Sequence, residues 1–235
     1  HTYAERQRLK EREEPTPELC GADFSNDTAK YQGYFTKNQA MQYYGDNFEL
    51  YYDKIENAVN EVMPYIITYK DEPIISAFHS MSSGKTESAE NAWGTPVEYL
   101  VPVDSSYDIS APKYFDEVCY TKEQLRQILV EKFSGINLGE DFTTWISVNS
   151  VSDSGTVLTA TAGDFKVSGN DIREALGLRS ACFELKYDSE NLTITTKGFG
   201  HGVGMSQYGA NAMASNGKSW REIIEHYYPN CVIDE

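Results

Sequence analysis

Between Gly198 and Gly204 every second residue is glycine, and His201 stands in the middle: Gly198-Phe199-Gly200-His201-Gly202-Val203-Gly204, continuing into Met205-Ser206-Gln207-Tyr208. Alternate residues of a strand share a face. The spacing therefore predicts a strand bare on one side, with Phe199, His201 and Val203 on the other. A glycine inside a strand costs about 0.5–1 kcal/mol relative to alanine, so four of them imply a close approach by another strand or by a ligand chain. On the ligand reading His201 and Gln207 line a carbohydrate or peptide groove. On the packing reading His201 is a buried, hydrogen-bonded core residue. Familiar glycine motifs are excluded. G-x-G-x-x-G fails because Gln207 follows Gly202 at the last position, and the nucleophile elbow G-x-S-x-G fails at Tyr208. Gly84-Lys85-Thr86 ends like a phosphate loop, but His79 stands where its first glycine belongs.

His79 to Trp93 is the second group with chemical potential. Glu87 and Glu90 lie among Ser82, Ser83, Thr86, Asn91 and Trp93. A carboxyl beside an indole gains a raised pKa and becomes a general acid, and an indole also stacks on sugar faces. The plainer alternative is a solvated loop with Trp93 in the core. His79 and His201 are far apart in the chain and show no helical H-x-x-x-H pairing, so no metal is expected. Ser206 as a hydrolase nucleophile is a further alternative.

These residues must be carried by a chain of 235 residues with net charge −16. That acidity disfavours nucleic acid, anionic lipid and phosphate ligands. Seventeen tyrosines suit polar, ring-shaped ligands. No apolar run approaches the roughly 18 residues of a membrane span, and no signal peptide is evident. Cys20, Cys119, Cys182 and Cys231 are too dispersed for a C-x-x-C site. The opening residues His1 to Leu9 read as the middle of a helix, Glu13 to Pro17 as its stop, and Asn26-Asp27-Thr28 as a turn. Asn38–Tyr44 predicts a short helix ended by Gly45. Phe48, Tyr52, Ile55, Val59 and Val62 fall on one stripe of an amphipathic helix and are expected in the core. Tyr65–Lys70 and Ile74–His79 predict a hairpin. Thr121/Gln124 and Ser219/Glu222 are capping boxes; between them lie strands within Trp145–Val167, a helix opened by Ser168 and ended by Gly177, and strands at Arg179–Lys186 and Leu192–Thr196. The mixture predicts an α+β fold, with a core of residues 1–98 plus 192–235 and a smaller inserted α+β module at 99–191.

Four stretches taken in order carry a resemblance: Phe78-His79-Ser80-Met81-Ser82-Ser83-Gly84-Lys85-Thr86-Glu87 with Trp93-Gly94; Leu176-Gly177-Leu178-Arg179-Ser180; Gly198 to Ala214; and His226-Tyr227-Tyr228-Pro229. Together they resemble the stage II sporulation protein D family, which includes amidase-enhancer proteins of the bacterial wall. The resemblance implies a secreted or membrane-anchored lytic transglycosylase acting on peptide-stripped peptidoglycan glycan during spore engulfment, without a cofactor. It implies partnership with a wall amidase and other engulfment proteins, and none with nucleic acid. The family's catalytic glutamate lies in an A-E-M-P motif upstream of an A-R-T-Y-A helix that His1-Thr2-Tyr3-Ala4 partly matches, so the acid and the anchor are expected before His1. Glu61-Val62-Met63-Pro64 echoes that motif in the wrong place. Some members carry a zinc cluster where Cys20 falls, but Lys30 and Tyr31 replace its partners, so no zinc is expected. Within the chain Glu87 is the candidate catalytic carboxyl, and His79, Ser80, Ser82, Gly84, Thr86, Trp93, Arg179, Ser180, His201, Gly202, Gly204, Ser206, Gln207 and Tyr208 are the candidate substrate-binding residues. A non-catalytic wall-binding module that stimulates an amidase is the alternative.

Overall fold

The computed structural model describes residues 19–22 and 33–235. The expectations for His1 to Pro17, for Asn26-Asp27-Thr28 and for Lys30 and Tyr31 lie outside the described residues. The fold is α+β, as the sequence predicts, with small sheets between capped helices. Contacts divide the chain into one unit of residues 1–76 with 230–235 and another of residues 77–229. These divisions fall at other places than 98/99 and 191/192.

In the first unit, helix Lys37–Tyr44 opens on a Thr36/Gln39 capping box and stops at Gly45. Helix Phe48–Val62 follows. Its apolar stripe is not core. Phe48 is buried against Tyr52, with ring centroids 5.0 Å apart, but Ile55 and Val59 are each 49% exposed. A stripe fixes which face is apolar, not whether anything covers it; here the covered part is confined to the first turn. Strands Ile66–Tyr69 and Glu72–Pro73 form a hairpin tighter than the expected one; the second strand falls within the predicted turn, and of Ile74–His79 only Phe78–His79 is strand, paired elsewhere. The hairpin's turn is Lys70–Asp71, both at positive φ, which matches the twist of paired strands. Val232–Asp234 adds to the free edge of Ile66–Tyr69.

The second unit holds the main apolar core. Helix Lys122–Lys132 is opened by the predicted Thr121/Gln124 box and buries Leu125 and Leu129. They meet Trp145, Ile172, Leu192 and Ile194 in one cluster. Around it, strand Asn191–Lys197 pairs antiparallel with Phe115–Thr121 and with Phe183–Tyr187. Val157–Ala162 pairs likewise with Ile146–Val151 and Phe165–Ser168. Helix Gly169–Ala175 starts at Ser168, and helix Trp220–Tyr227 starts on the Ser219/Glu222 box.

Candidate functional site

The glycine segment does not form one continuous strand. Gly198, Gly200, Gly202 and Gly204 have φ of +76°, +116°, +78° and +71°, a region side chains disfavour. The chain makes a kinked ribbon instead. The predicted close approach is present, and its occupant is the protein's own segment 77–87. A Cβ on Gly198 would lie 2.7 Å from the Ser82 carbonyl oxygen, and one on Gly200 2.8 Å from the His79 Cβ. One on Gly204 would overlap the Ala77 carbonyl. The ribbon therefore runs beside residues 77–87. Phe78–His79 pairs parallel with Met205–Ser206, Met81 bridges Phe199, and Glu87 bridges Val203. The two sequence motifs become neighbours, and His201 and Glu87 line one cleft together with Ser82, Lys85, Ser180 and Lys197.

Glu87 is 1% exposed. Its Oε1 accepts from the Ser88 amide at 2.8 Å and from Asn91 Nδ2 at 2.9 Å. Its Oε2 accepts from Ser152 Oγ at 2.5 Å and Ser154 Oγ at 3.0 Å. Burial pushes the carboxyl up, but the bonds from Ser152, Asn91, the Ser88 amide and Thr156 outweigh it and hold the group below its usual 4.5. This corrects the expectation of a raised, acid-type carboxyl. Trp93 does not desolvate it in the manner predicted; the indole is 44% exposed and packs on His201, ring centroids 5.3 Å apart. Glu87 is an ionised hub that fastens the 82–91 loop to the 152–156 turn.

His79 is 4% exposed, and its ring lies 5.7 Å from that of His201. Its Nδ1 donates to the Val203 carbonyl at 3.2 Å, while its Nε2 is buried without a partner among the described residues. His201 Nδ1 accepts from the Val203 amide at 3.1 Å. Burial, and then the nearby His201, lower His79 from 6.5 to about 4; burial and then Arg173 lower His201. Both are therefore neutral at pH 7. The unfolded chain takes up a proton at His79 that the folded chain refuses, so folding stability falls as pH drops from about 6.5 towards 4. For His79 the loss is on the order of 3 kcal/mol, with Glu87 adding to it below 4.5. Urea unfolding at pH 7 and pH 4.5 checks this. His79→Gln is expected to lose less stability over that interval than the wild type; identical losses would sink the assignment.

Serine and threonine hydroxyls complete the scaffold. Asp108, in the turn Ser106–Ser110, is fully buried. It accepts from Ser82 N and Oγ, Ser105 Oγ and Ser206 Oγ. Ser206 also caps helix Gln207–Ser215 through the Gly209 amide. Buried and bonded in this way, it is no exposed nucleophile, and the hydrolase reading falls. Thr86 Oγ1 accepts from the Val103 amide, and Gly84 turns the loop at φ +107°. Ser80 offers its carbonyl to the Tyr208 amide. Ser180 Oγ donates to the Lys197 carbonyl. Arg179 pairs with Asp116 at 3.1 Å. Gly202 lines the cleft beside His201, whereas Gln207 and Tyr208 are exposed on the following helix. Sequence reasoning missed Lys85, Asn170, Cys182 and Lys197 as cleft residues and Asp108 as a hub. Only Lys85 lay within a motif that had been singled out.

Among the described residues no group of three or more His, Cys, Asp or Glu side chains is placed to hold a metal ion. None of their helices is long and apolar enough to cross a membrane.

No family model matches the chain. Stage II sporulation protein D of Bacillus amyloliquefaciens is 42% identical over 211 residues, 89% of this chain and 59% of that protein. Its namesake in Bacillus subtilis (strain 168) is 39% identical over 89% of the chain and 60% of that protein. The amidase enhancer of Bacillus subtilis (strain 168) is 24% identical over 75% of the chain and 32% of its own length. The chain thus spans about three-fifths of the length of the two sporulation proteins it matches.

Proposed function

From the premise that this chain is a homologue of stage II sporulation protein D, we propose that it acts on the cell wall during sporulation, cutting peptidoglycan glycan strands as a lytic transglycosylase. In that reaction one carboxyl protonates the departing glycosidic oxygen. As carboxylate it then takes the proton of the sugar's own 6-hydroxyl, and a 1,6-anhydro end forms. One group works in two states, unlike the carboxylate pair of hydrolysis. The proposal assigns that acid to a polypeptide segment preceding His1, and the anchoring of the protein outside the cytoplasm to the same region. The single observation that carries the reading is the pairing of residues 78–87 with the glycine ribbon. It places Trp93, half-exposed, over His201 beside a polar cleft, a suitable platform for a sugar face. Glu87, ionised and fully hydrogen-bonded, has no proton to give near neutral pH; its part is to position the loop.

The same property of Glu87, with the similarity to an amidase enhancer, favours a second reading: a wall-binding module that stimulates an amidase and cuts nothing. Peptide-stripped glycan strands, incubated with the gene product that includes residues preceding His1, separate the two. New anhydro-muramyl ends detected by mass spectrometry are the expected result. Binding without new ends overturns the enzyme in favour of the module, and no binding overturns both.

A further inference from the structure

The polar side chains lining the cleft are almost all committed within the protein. Ser82 donates to Asp108, Ser83 to the Ser154 carbonyl and Asn170 to the Ala92 carbonyl. Lys197 pairs with Glu184 at 2.6 Å. Both oxygens of Glu87 are taken. His201 spends Nδ1 on the Val203 amide and bonds the Phe78 backbone as well.

Lys85 differs. It is half-buried and lines the same cleft, yet among the described residues its ammonium has no carboxylate partner. The acidic residue across its antiparallel bridge is Asp104, whose carboxylate is turned to Ser106 at 3.0 Å. Glu87, two residues away, is saturated. A protein of net charge −16 thus keeps in its cleft a cation with no ion pair among the described residues. A neutral polyol would leave that charge unpaired, whereas a carboxylate would form a charge-assisted hydrogen bond with it.

We propose that Lys85 is a specificity residue that recognises a carboxylate carried by the saccharide. The inference rests on the glycan reading above and narrows its substrate class. In peptidoglycan the carboxylate belongs to the 3-O-lactyl group of muramic acid. It is free once the stem peptide is gone and is an amide while the peptide is attached, so an ammonium distinguishes the two states by charge alone.

Calorimetric titration with three defined tetrasaccharides tests this: alternating N-acetylglucosamine and N-acetylmuramic acid with free lactyl carboxyls, the same compound with those carboxyls as methylamides, and chitotetraose. The wild type is expected to bind the free acid about tenfold more tightly than the amide, as one charged hydrogen bond allows, and the margin should shrink with added salt. Lys85→Gln is expected to bind acid and amide alike, and Lys85→Arg to restore part of the preference. An undiminished preference in Lys85→Gln overturns the proposal. So does a wild type that binds all three sugars equally, which spares the glycan reading; binding of none overturns both.

Discussion

Gly204→Ala is expected to cost roughly 4 kcal/mol of folding stability, most of the margin of a protein at the low end of the ordinary range. Two separate effects add. At φ +71° a side chain meets backbone strain of about 1–2 kcal/mol. The new Cβ would also overlap the Ala77 carbonyl oxygen. That oxygen cannot retreat freely, because it accepts from the Met205 amide at 3.0 Å and from the Tyr228 hydroxyl at 2.6 Å. Pushing it aside breaks two buried hydrogen bonds, each worth about 1 kcal/mol or more. Gly217→Ala is the matched control. Its φ is +85°, and a Cβ there meets nothing within 4 Å. It should pay the strain alone, about 1–2 kcal/mol. Urea denaturation of both variants gives the comparison. Equal costs would mean that conformation, and not contact with residues 77–87, explains the glycines.

The difference between those two glycines marks where sequence reading succeeds and where it stops. Alternation announced a close approach, but a period of two is shared by a strand and by a ribbon that turns left-handed at every second residue. Only the partner, residues 77–87 far earlier in the chain, decides between them. Caps were legible because their signal is local: Thr121 with Gln124, and Ser219 with Glu222, satisfy helix ends within four residues. The stripe on Phe48–Val62 was legible as a helix face but not as core, since nothing in it encodes a cover. Glu87 and Trp93 are six apart in sequence, which suggested a carboxyl warmed by an indole. In space the indole turned to His201, and the carboxylate found hydroxyls at 152 and 154. A pKa is set by such distant partners, so its direction was misread. Lys85 shows the converse. Its presence was plain, but its lack of an ion pair among the described residues becomes visible only once Asp104 and Glu87 have been located.

Asp108→Ala should be nearly as costly as the glycine change, roughly 3–4 kcal/mol, because it strands several buried donors at once. Oδ2 holds the Ser82 amide at 2.7 Å, Ser82 Oγ at 2.6 Å and Ser105 Oγ at 3.0 Å; Oδ1 holds Ser206 Oγ at 2.7 Å. Ser105 passes the network on to the Tyr227 hydroxyl at 2.8 Å. One carboxylate thus fastens the His79–Glu87 loop, the end of the glycine ribbon and the last long helix. Asp108→Asn keeps one carbonyl for the Ser82 side, and the Ser206 hydroxyl can rotate to accept from the new amide, so about 1–2 kcal/mol is expected. The network claim goes further than either number. Ser206→Ala removes a partner of the same carboxylate, so Asp108→Ala and Ser206→Ala together should cost less than their sum by at least about 0.5 kcal/mol. Strict additivity in that double-mutant cycle would show that the loop and the ribbon are held independently. The cleft between them would then owe its shape to the glycine contacts alone.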